Sequence, residues 1–468
     1  MSTLSAMLDS AGNALDVYQQ ALSVVQNNIN NASTPGYATQ SLNLEAQPLD
    51  VADGLIGGVT TAGLDNSRDT YAEEQVQAQT QALGQYTAEA QATGSIQSLF
   101  GTTGTSGVSA ALSSLYQSFS AWSASPSDPS AEQSVIASAQ NVASTIQGLQ
   151  SSLSQNAQQL GSNIASTASQ INSIAAQIQS YNVERASETT PDPGQDAQLY
   201  SALDNLSQLT NFTTVTAPDG AVTVMLGGGS PLVIGSQQFS ISTTSTPAGT
   251  EVLDSQGNDI TSQITSGQLG GMLNVSNNVL APMLGNSQAP GTLDQFTTTL
   301  ADTVNQILES GTVSTAPGAA AGTALFTYDS STPDNAAATI EVNPAITASQ
   351  LAPVDSSGNV NGNANQLAAL ESDPVTALGG MTLTQFFGQI ASGVGQANQT
   401  ATDNQTSQQQ VLSQATTLVN NASGVSLDEQ AVNVLNFQRS YQAVAQVLTE
   451  ISNMTASVMN LVQPDGNG

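Results

Sequence analysis

The first thirty residues place the tightest constraint on the fold. Leu4, Leu8, Ala11, Leu15, Tyr18, Leu22, Val25 and Ile29 follow one another in alternating steps of four and three. This is a heptad repeat, the period at which a helix turns a narrow apolar seam toward a partner helix. The alternative, an amphipathic helix lying on a globular core, shows a broader stripe. The last forty residues carry a second repeat. Phe437, Val444, Ile451 and Val458 recur every seven residues, and Ser440, Val447, Met454 and Leu461 recur three residues further on. Ser426 and Glu429 form a candidate capping box ahead of it, with Asp428 and Glu429 where the helix dipole is positive. Neither helix is stable bare in water, and each is the other's nearest partner. The expectation is that the two ends pair as a coiled coil.

The region between the ends divides by pattern. Residues 1–70 hold the first helix and an extended linker. The helix stops at Thr34-Pro35-Gly36-Tyr37, where Pro35 and Gly36 suit the centre of a type II turn. Leu42, Leu44 and Ala46 then alternate with polar residues, as in a strand. Residues 71–210 read as a long helical rod. Ile146, Leu149, Leu153, Leu160, Ile164, Ile171, Ile174, Ile178 and Tyr181 fall on one stripe, and a helix of ~50 residues would be about 75 Å long. Ser125 to Pro129 breaks the run before that stripe, and Ser187 to Gly194 breaks it after.

Residues 211–268 read as a small β region, with a hairpin at Pro218-Asp219-Gly220 and a second turn at Gly257. Gly227-Gly228-Gly229 has no lysine and no helix after it, so it reads as a turn rather than a phosphate loop. Residues 269–310 return as helix, 311–372 are a mixed or β insertion, 373–422 form a further rod helix, and 423–468 form the final heptad helix. The expected class is mainly α with a smaller β part, elongated, with the β excursion partway along a hairpin-like rod.

Composition narrows the chemistry. The 468 residues contain no Cys, no His and no Lys, and only three cations, Arg68, Arg185 and Arg439. Thiolate nucleophiles, Cys-based zinc sites, imidazole bases, Schiff bases and phosphate-gripping lysines are therefore all excluded. Two carboxylates could still hydrolyse a glycoside, which keeps a secreted carboxylate glycosidase as the rival from another class. The net charge of −32 argues against nucleic acid and anionic membrane as partners. No cofactor or metal is expected. No apolar run approaches the ~20 residues of a membrane span, and the N-terminus shows no cleavable signal pattern.

With these residues in place, a resemblance emerges. Asn27-Asn28-Ile29-Asn30-Asn31-Ala32-Ser33-Thr34-Pro35-Gly36-Tyr37 resembles the N-terminal signature of bacterial flagellar rod, hook and hook-associated proteins. Ser423-Gly424-Val425-Ser426-Leu427-Asp428-Glu429, continued by Phe437-Gln438-Arg439-Ser440-Tyr441-Gln442-Ala443, resembles the matching C-terminal signature. Arg68-Asp69, Leu99-Phe100-Gly101, the Ser125–Pro129 break, Leu269 to Leu273 and Thr339 to Pro344 are similar to the helical part of hook-associated protein 1, the hook–filament junction family. Hook protein and flagellin are the alternatives within the class. The insertion at 311–372 looks too short for a separate outer domain.

That resemblance implies a structural, non-catalytic subunit of the extracellular flagellum, required for filament assembly and motility and exported by the flagellar type III route without a cleaved signal. It implies further copies of the chain in a ring or helical layer, hook protein on one side, a second hook-associated protein or the filament on the other, and a cytoplasmic export chaperone. Subunit packing is assigned to the two heptad seams, with Asn28, Thr34, Pro35, Gly36 and Tyr37 as the family's turn motif. Arg439 has no carboxylate three or four residues away. Two readings stand for it: a solvated cation, since exposed pairs contribute little, or an ion pair with acid on a different helix, with Asp9 and Asp16 as candidate mates.

Overall fold

A computed structural model describes residues 2–50, 55–101, 106–187, 192–246 and 249–462. Helix α1 (Ser2–Asn30) leads into a hairpin of β1 (Gln40–Asp50) and β2 (Leu55–Asn66). Helices α2 (Thr70–Gln97), α3 (Gly107–Ala124), α4 (Pro129–Ser187) and α5 (Pro193–Leu209) follow. The β excursion comprises β3 (Phe212–Thr216), β4 (Val222–Leu226), β5 (Ser230–Ile234) and β6 (Gln237–Gln238) in one antiparallel sheet, with β7 (Ser242–Thr246) and β8 (Gly249–Leu253) as a separate hairpin. Then come α6 (Gly267–Val275), α7 (Ala281–Leu284), a minimal hairpin of β9 (Gly285–Asn286) and β10 (Ala289–Pro290), and α8 (Thr292–Glu309). Short pieces follow: β11 (Phe326–Thr327), α9 (Ala336–Thr339), β12 (Glu341–Val342) and α10 (Gly362–Ala369). Two long helices, α11 (Leu383–Ser423) and α12 (Leu427–Val462), finish the chain.

The rod is organised around α4, whose 59 residues span about 88 Å at the α-helical rise. Its stripe, from Val135 through Ile146, Leu153, Ile164 and Ile171 to Ile178, is fully or almost fully buried. Asp128 bonds the Ser130 amide where α4 begins, and the Pro126–Pro129 break places that turn. One continuous apolar core runs along the rod from α5 and the β3–β5 sheet to an aromatic end, where Trp122, Phe119, Tyr116, Phe296 and Phe387 are all at most 2% exposed. There the Phe387 ring lies 5.5 Å from Phe296 and 5.9 Å from Phe100.

Residues 311–372 join this same core through Leu325, Phe326, Ile340, Leu351 and Leu367. Gln147 of α4 donates to the Ile340 carbonyl at 2.8 Å. The contact between α2 and α11 is instead largely polar. Gln408 bonds the Gln79 carbonyl and side chain, Gln405 bonds Thr87, and Asn398 bonds Gln97. Neutral amides and hydroxyls thus hydrogen-bond across this helix pair, beside the buried Val394 and Ala401 of α11.

The rod differs from its sequence reading in two places. The stretch 269–308 is not one helix. It widens into a π-helical turn over Ser276–Leu280, just ahead of Pro282, and breaks at the β9–β10 hairpin, where Gly285, Pro290 and Gly291 interrupt it. The rod's helical stretch breaks where the sequence reading put it, at 125–129 and 187–194, and once more after α2, where Gly101 lies in the left-handed region, φ 56°.

The ends do pair. Helix α1 packs along α12, and the pair is antiparallel: Asn28 meets Gln430 near the rod, and Tyr18 meets Phe437 further out, ring centroids 6.5 Å apart. The hairpin β1–β2 packs on α1 as well, with Ser10 donating to the Gly57 carbonyl at 2.9 Å.

Candidate functional site

Two features stand out as candidates: the paired ends, and the joint that ties them to the rod. On α1 the buried face is Ala11, Ala14, Val17, Ala21, Val25 and Asn28. Tyr18, Leu15, Leu22 and Leu4 are half-buried, while Leu8 and Ile29 are exposed. The row Ala11–Tyr18–Val25 is therefore part of the seam. Its companion row is Ala14–Ala21–Asn28, not Leu8–Leu15–Leu22–Ile29. Small alanines let the helix axes approach, and counting leucines missed them.

On α12 the inner row is Gln430, Phe437, Val444 and Ile451, with Val434, Leu448 and Thr455 half-buried beside it. Val447, Met454 and Val458 face outward, 53%, 57% and 40% exposed. The side chain of Leu461 lies outside the described residues. Arg439 is exposed and makes no ion pair within the chain among the described residues. It lies about 200° around α12 from Phe437 at the helical 100° per residue, on the face turned away from α1 and its acids. Ahead of α12, only half of the capping box forms: the Glu429 amide donates to Ser426 Oγ at 3.4 Å.

The joint is built from both signature motifs. Asn28, 1% exposed, ends α1 with all four of its side-chain hydrogen bonds made. Its Nδ2 donates to the Gln40 carbonyl at 2.8 Å and to Gln430 Oε1 at 3.1 Å. Its Oδ1 accepts from the Tyr37 hydroxyl at 2.8 Å and the Gln40 amide at 2.9 Å. One side chain thus holds α1, the first residue of β1, the turn and α12. Burial raises the Tyr37 hydroxyl above its ordinary pKa, so it stays a donor.

The turn between them closes as expected, with the Tyr37 amide donating to the Thr34 carbonyl at 3.2 Å and Gly36 at φ +73°. Pro35 is exposed at its tip. Gly36 sits so close to α5 that a Cβ would collide with the Ala197 carbonyl and lie 2.8 Å from the Ser201 amide nitrogen.

The C-terminal motif enters from the other side. The Ser423 carbonyl accepts from the Thr39 amide at 2.9 Å and from Ser67 Oγ at 3.3 Å. Ser423 Oγ accepts from the Asp69 amide and donates to the Ser67 carbonyl, both at 3.2 Å. The two chain crossings between ends and rod (β2 to α2, and α11 to α12) are therefore bonded at one level with the start of β1.

Arg68 completes the joint and was not identified as a site residue from the sequence. Its side chain is 5% exposed. Nη1 bonds Glu73 Oε1 at 2.8 Å, Nη2 donates to the Gly36 carbonyl at 2.5 Å, and Cζ lies 3.6 Å from the centre of the Tyr200 ring. A desolvated cation on an aromatic face is worth about 2 kcal/mol, and deleting one member of a buried ion pair costs ~3–5 kcal/mol. Burial raises the Glu73 pKa, against the pull of Arg68. The available signal was scarcity: with three cations in the whole chain, one placed directly before an acid-rich helix start is a candidate for burial.

A cleft of about 630 Å³ lies between the Asn31–Tyr37 turn, the end of α4 and α5, lined by Tyr37, Tyr181, Gln195 and Asn205 among others. Among the described residues no group of three or more His, Cys, Asp or Glu could hold a metal ion, and no helix is long and apolar enough to cross a membrane.

Residues 93–326, half of the chain, match the family model of the flagellar hook-associated protein FlgK helical domain. Residues 8–37, which hold most of α1 and the turn, match that of the flagella basal body rod protein. The flagellar hook junction protein FlgK from Burkholderia pseudomallei shares the fold at a TM-score of 0.63 and 17% identity, over 75% of this chain and 100% of that one. No curated protein matches the sequence. With its rod matched by the helical-domain model and its N-terminal helix and turn by a second axial family, this chain belongs to the FlgK family of flagellar hook-associated proteins.

Proposed function

We propose that this chain is the structural adaptor that joins the flagellar hook to the filament, and that it does so through the outer faces of its paired ends. The observation that carries this reading is the contrast between the two parts of the molecule. The rod buries its own core, including the α4 stripe with only Ile174 partly exposed. The terminal pair does not. Leu8, Ile29, Val447, Met454 and Val458 stay uncovered on it, as do Val432 and Leu435. Heptad rows exposed on both helices match further helices of the same kind, so copies of this chain in a ring or helical layer are the partners that cover them.

In this reading hook protein lies on one side of the layer, and a second hook-associated protein or the filament lies on the other. A cytoplasmic chaperone guards the uncovered rows before export by the flagellar type III route, and the protein works outside the cell. The role is mechanical and non-catalytic. A hook-like or flagellin-like subunit is the alternative within the class, and the match of the rod to the helical-domain model weighs against it.

Val447→Asp tests the reading. Val447 is exposed in the single chain, so the variant folds and is secreted, with the rod's melting unchanged. In a layer its carboxylate would be buried without a partner, at a cost of several kcal/mol per subunit. Cells carrying only this variant are expected to build hooks, fail to hold filaments and release flagellin into the medium. Normal filaments on such cells would remove the outer row from the assembly surface.

A further inference from the structure

Of the three cations in the chain, two are engaged within it. Arg68 is buried in the joint, and Arg185 lies against Gly220 in the β3–β4 turn. Arg439 is exposed and has no partner among the described residues. Every other charged side chain on α1 and α12 is an acid: Asp9, Asp16, Asp428, Glu429 and Glu450. Val432 and Leu435, two turns and one turn before Arg439, lie within about 40° of it around α12. They are 55% and 53% exposed. A neighbour that covers these two side chains also covers the guanidinium, and leaves it buried and unpaired unless it brings a carboxylate.

The Tyr18–Phe437 contact shows where such a carboxylate stands. Two residues turn a helix by about 200° and advance it by about 3 Å. Asp16 precedes Tyr18 by two residues, Arg439 follows Phe437 by two, and the helices are antiparallel. Both side chains therefore leave the pair at one level, about 3 Å further from the rod than the ring contact, on opposite sides. Asp16 is exposed, like Arg439. Asp9 lies on the same side of α1 as Asp16 but about 10 Å further out.

We propose that neighbouring copies of this chain meet head to tail, the outer side of α12 in one against the outer side of α1 in the next, and that Arg439 pairs with Asp16 of the adjacent copy. The contact presupposes that copies cover the terminal pair, as proposed above, and adds which faces meet and in what register. Its two sides differ, so each copy offers one of each and the contact repeats around a layer instead of stopping at a dimer. It also selects the direction of packing. Two copies meeting α12 to α12 would set arginine near arginine, and two meeting α1 to α1 would set acid near acid.

The chain contains no cysteine, so introduced ones report the contact without background. Asp16→Cys and Arg439→Cys in one chain stand about 20 Å apart across the helix pair. A disulfide needs Cα atoms within about 7 Å, so these two bond only between copies. Cells whose sole copy carries both substitutions are grown with a reductant, and their isolated hook–filament particles are then oxidised. A denaturing gel should show a ladder of cross-linked dimers, trimers and larger species. Asp9→Cys combined with Arg439→Cys should stay monomeric. Charge exchange gives a second readout if the double-cysteine chain does not enter the particles. Arg439→Asp alone and Asp16→Arg alone should each lose filaments, and the two together should restore them. Monomer alone from oxidised Asp16→Cys/Arg439→Cys particles, a ladder from the Asp9 pair in its place, single charge variants that keep their filaments, or a double exchange that restores none would each overturn the head-to-tail contact. The junction role fails separately, if cells lacking the chain keep normal filaments.

Discussion

Replacing Asn28 by alanine should uncouple the two ends of the chain from the rod. The side chain is 1% exposed and makes four hydrogen bonds. Its loss strands four partners, but not equally. Tyr37 is half-buried and can turn its hydroxyl toward water, whereas Gln430 is 3% exposed. The Gln40 amide and carbonyl belong to the backbone at the start of β1, in a residue 8% exposed, and cannot follow. At ~1–3 kcal/mol for each buried group left unpaired, the two backbone groups alone cost about 2–6 kcal/mol. That is comparable with the whole stability of a two-helix pair, and small against the rod. Hydrogen exchange read by mass spectrometry should therefore show α1 and α12 losing protection while α4 keeps its own, and chemical denaturation should split into two steps. A loss below about 1 kcal/mol, with protection of α1 and α12 intact, would refute the reasoning that Asn28 ties the ends together.

Two other substitutions separate the joint from the rod. Gly36→Ala adds a Cβ against the α5 backbone in a left-handed turn. It should weaken the joint by more than about 1 kcal/mol, seen as faster trypsin cleavage after Arg68 at fixed pH. Phe387→Ala empties the contact between Phe100 and Phe296 at the aromatic end. It should cost ~3–5 kcal/mol of rod stability in a thermal melt while leaving exchange in the terminal pair unchanged.

The parts of this fold written in local pattern were legible. The α4 stripe, the Pro218-Asp219-Gly220 hairpin and the Pro35-Gly36 turn each follow from a few neighbouring residues, and each is found where the spacing puts it. The choice between two heptad rows was not local. Both flanks of Ala11–Tyr18–Val25 are apolar, and only the packing of α12 and the β1–β2 hairpin selects Ala14–Ala21–Asn28. The breaks between α6 and α8 were visible as prolines and glycines but were outweighed by the apolar residues around them. Half the candidate site could be read, since Asn28, Gly36 and Tyr37 lie in one motif. Arg68, Tyr200 and Ser423 are separated by over a hundred residues, and nothing along the chain shows that they converge.

The central claim, that this chain joins hook to filament, is tested most directly by removing it. Electron microscopy of cells lacking every copy of the gene should show hooks of normal form with no filaments, with flagellin accumulating in the culture supernatant and filaments restored by the unaltered chain. Normal filaments on those cells would contradict the account.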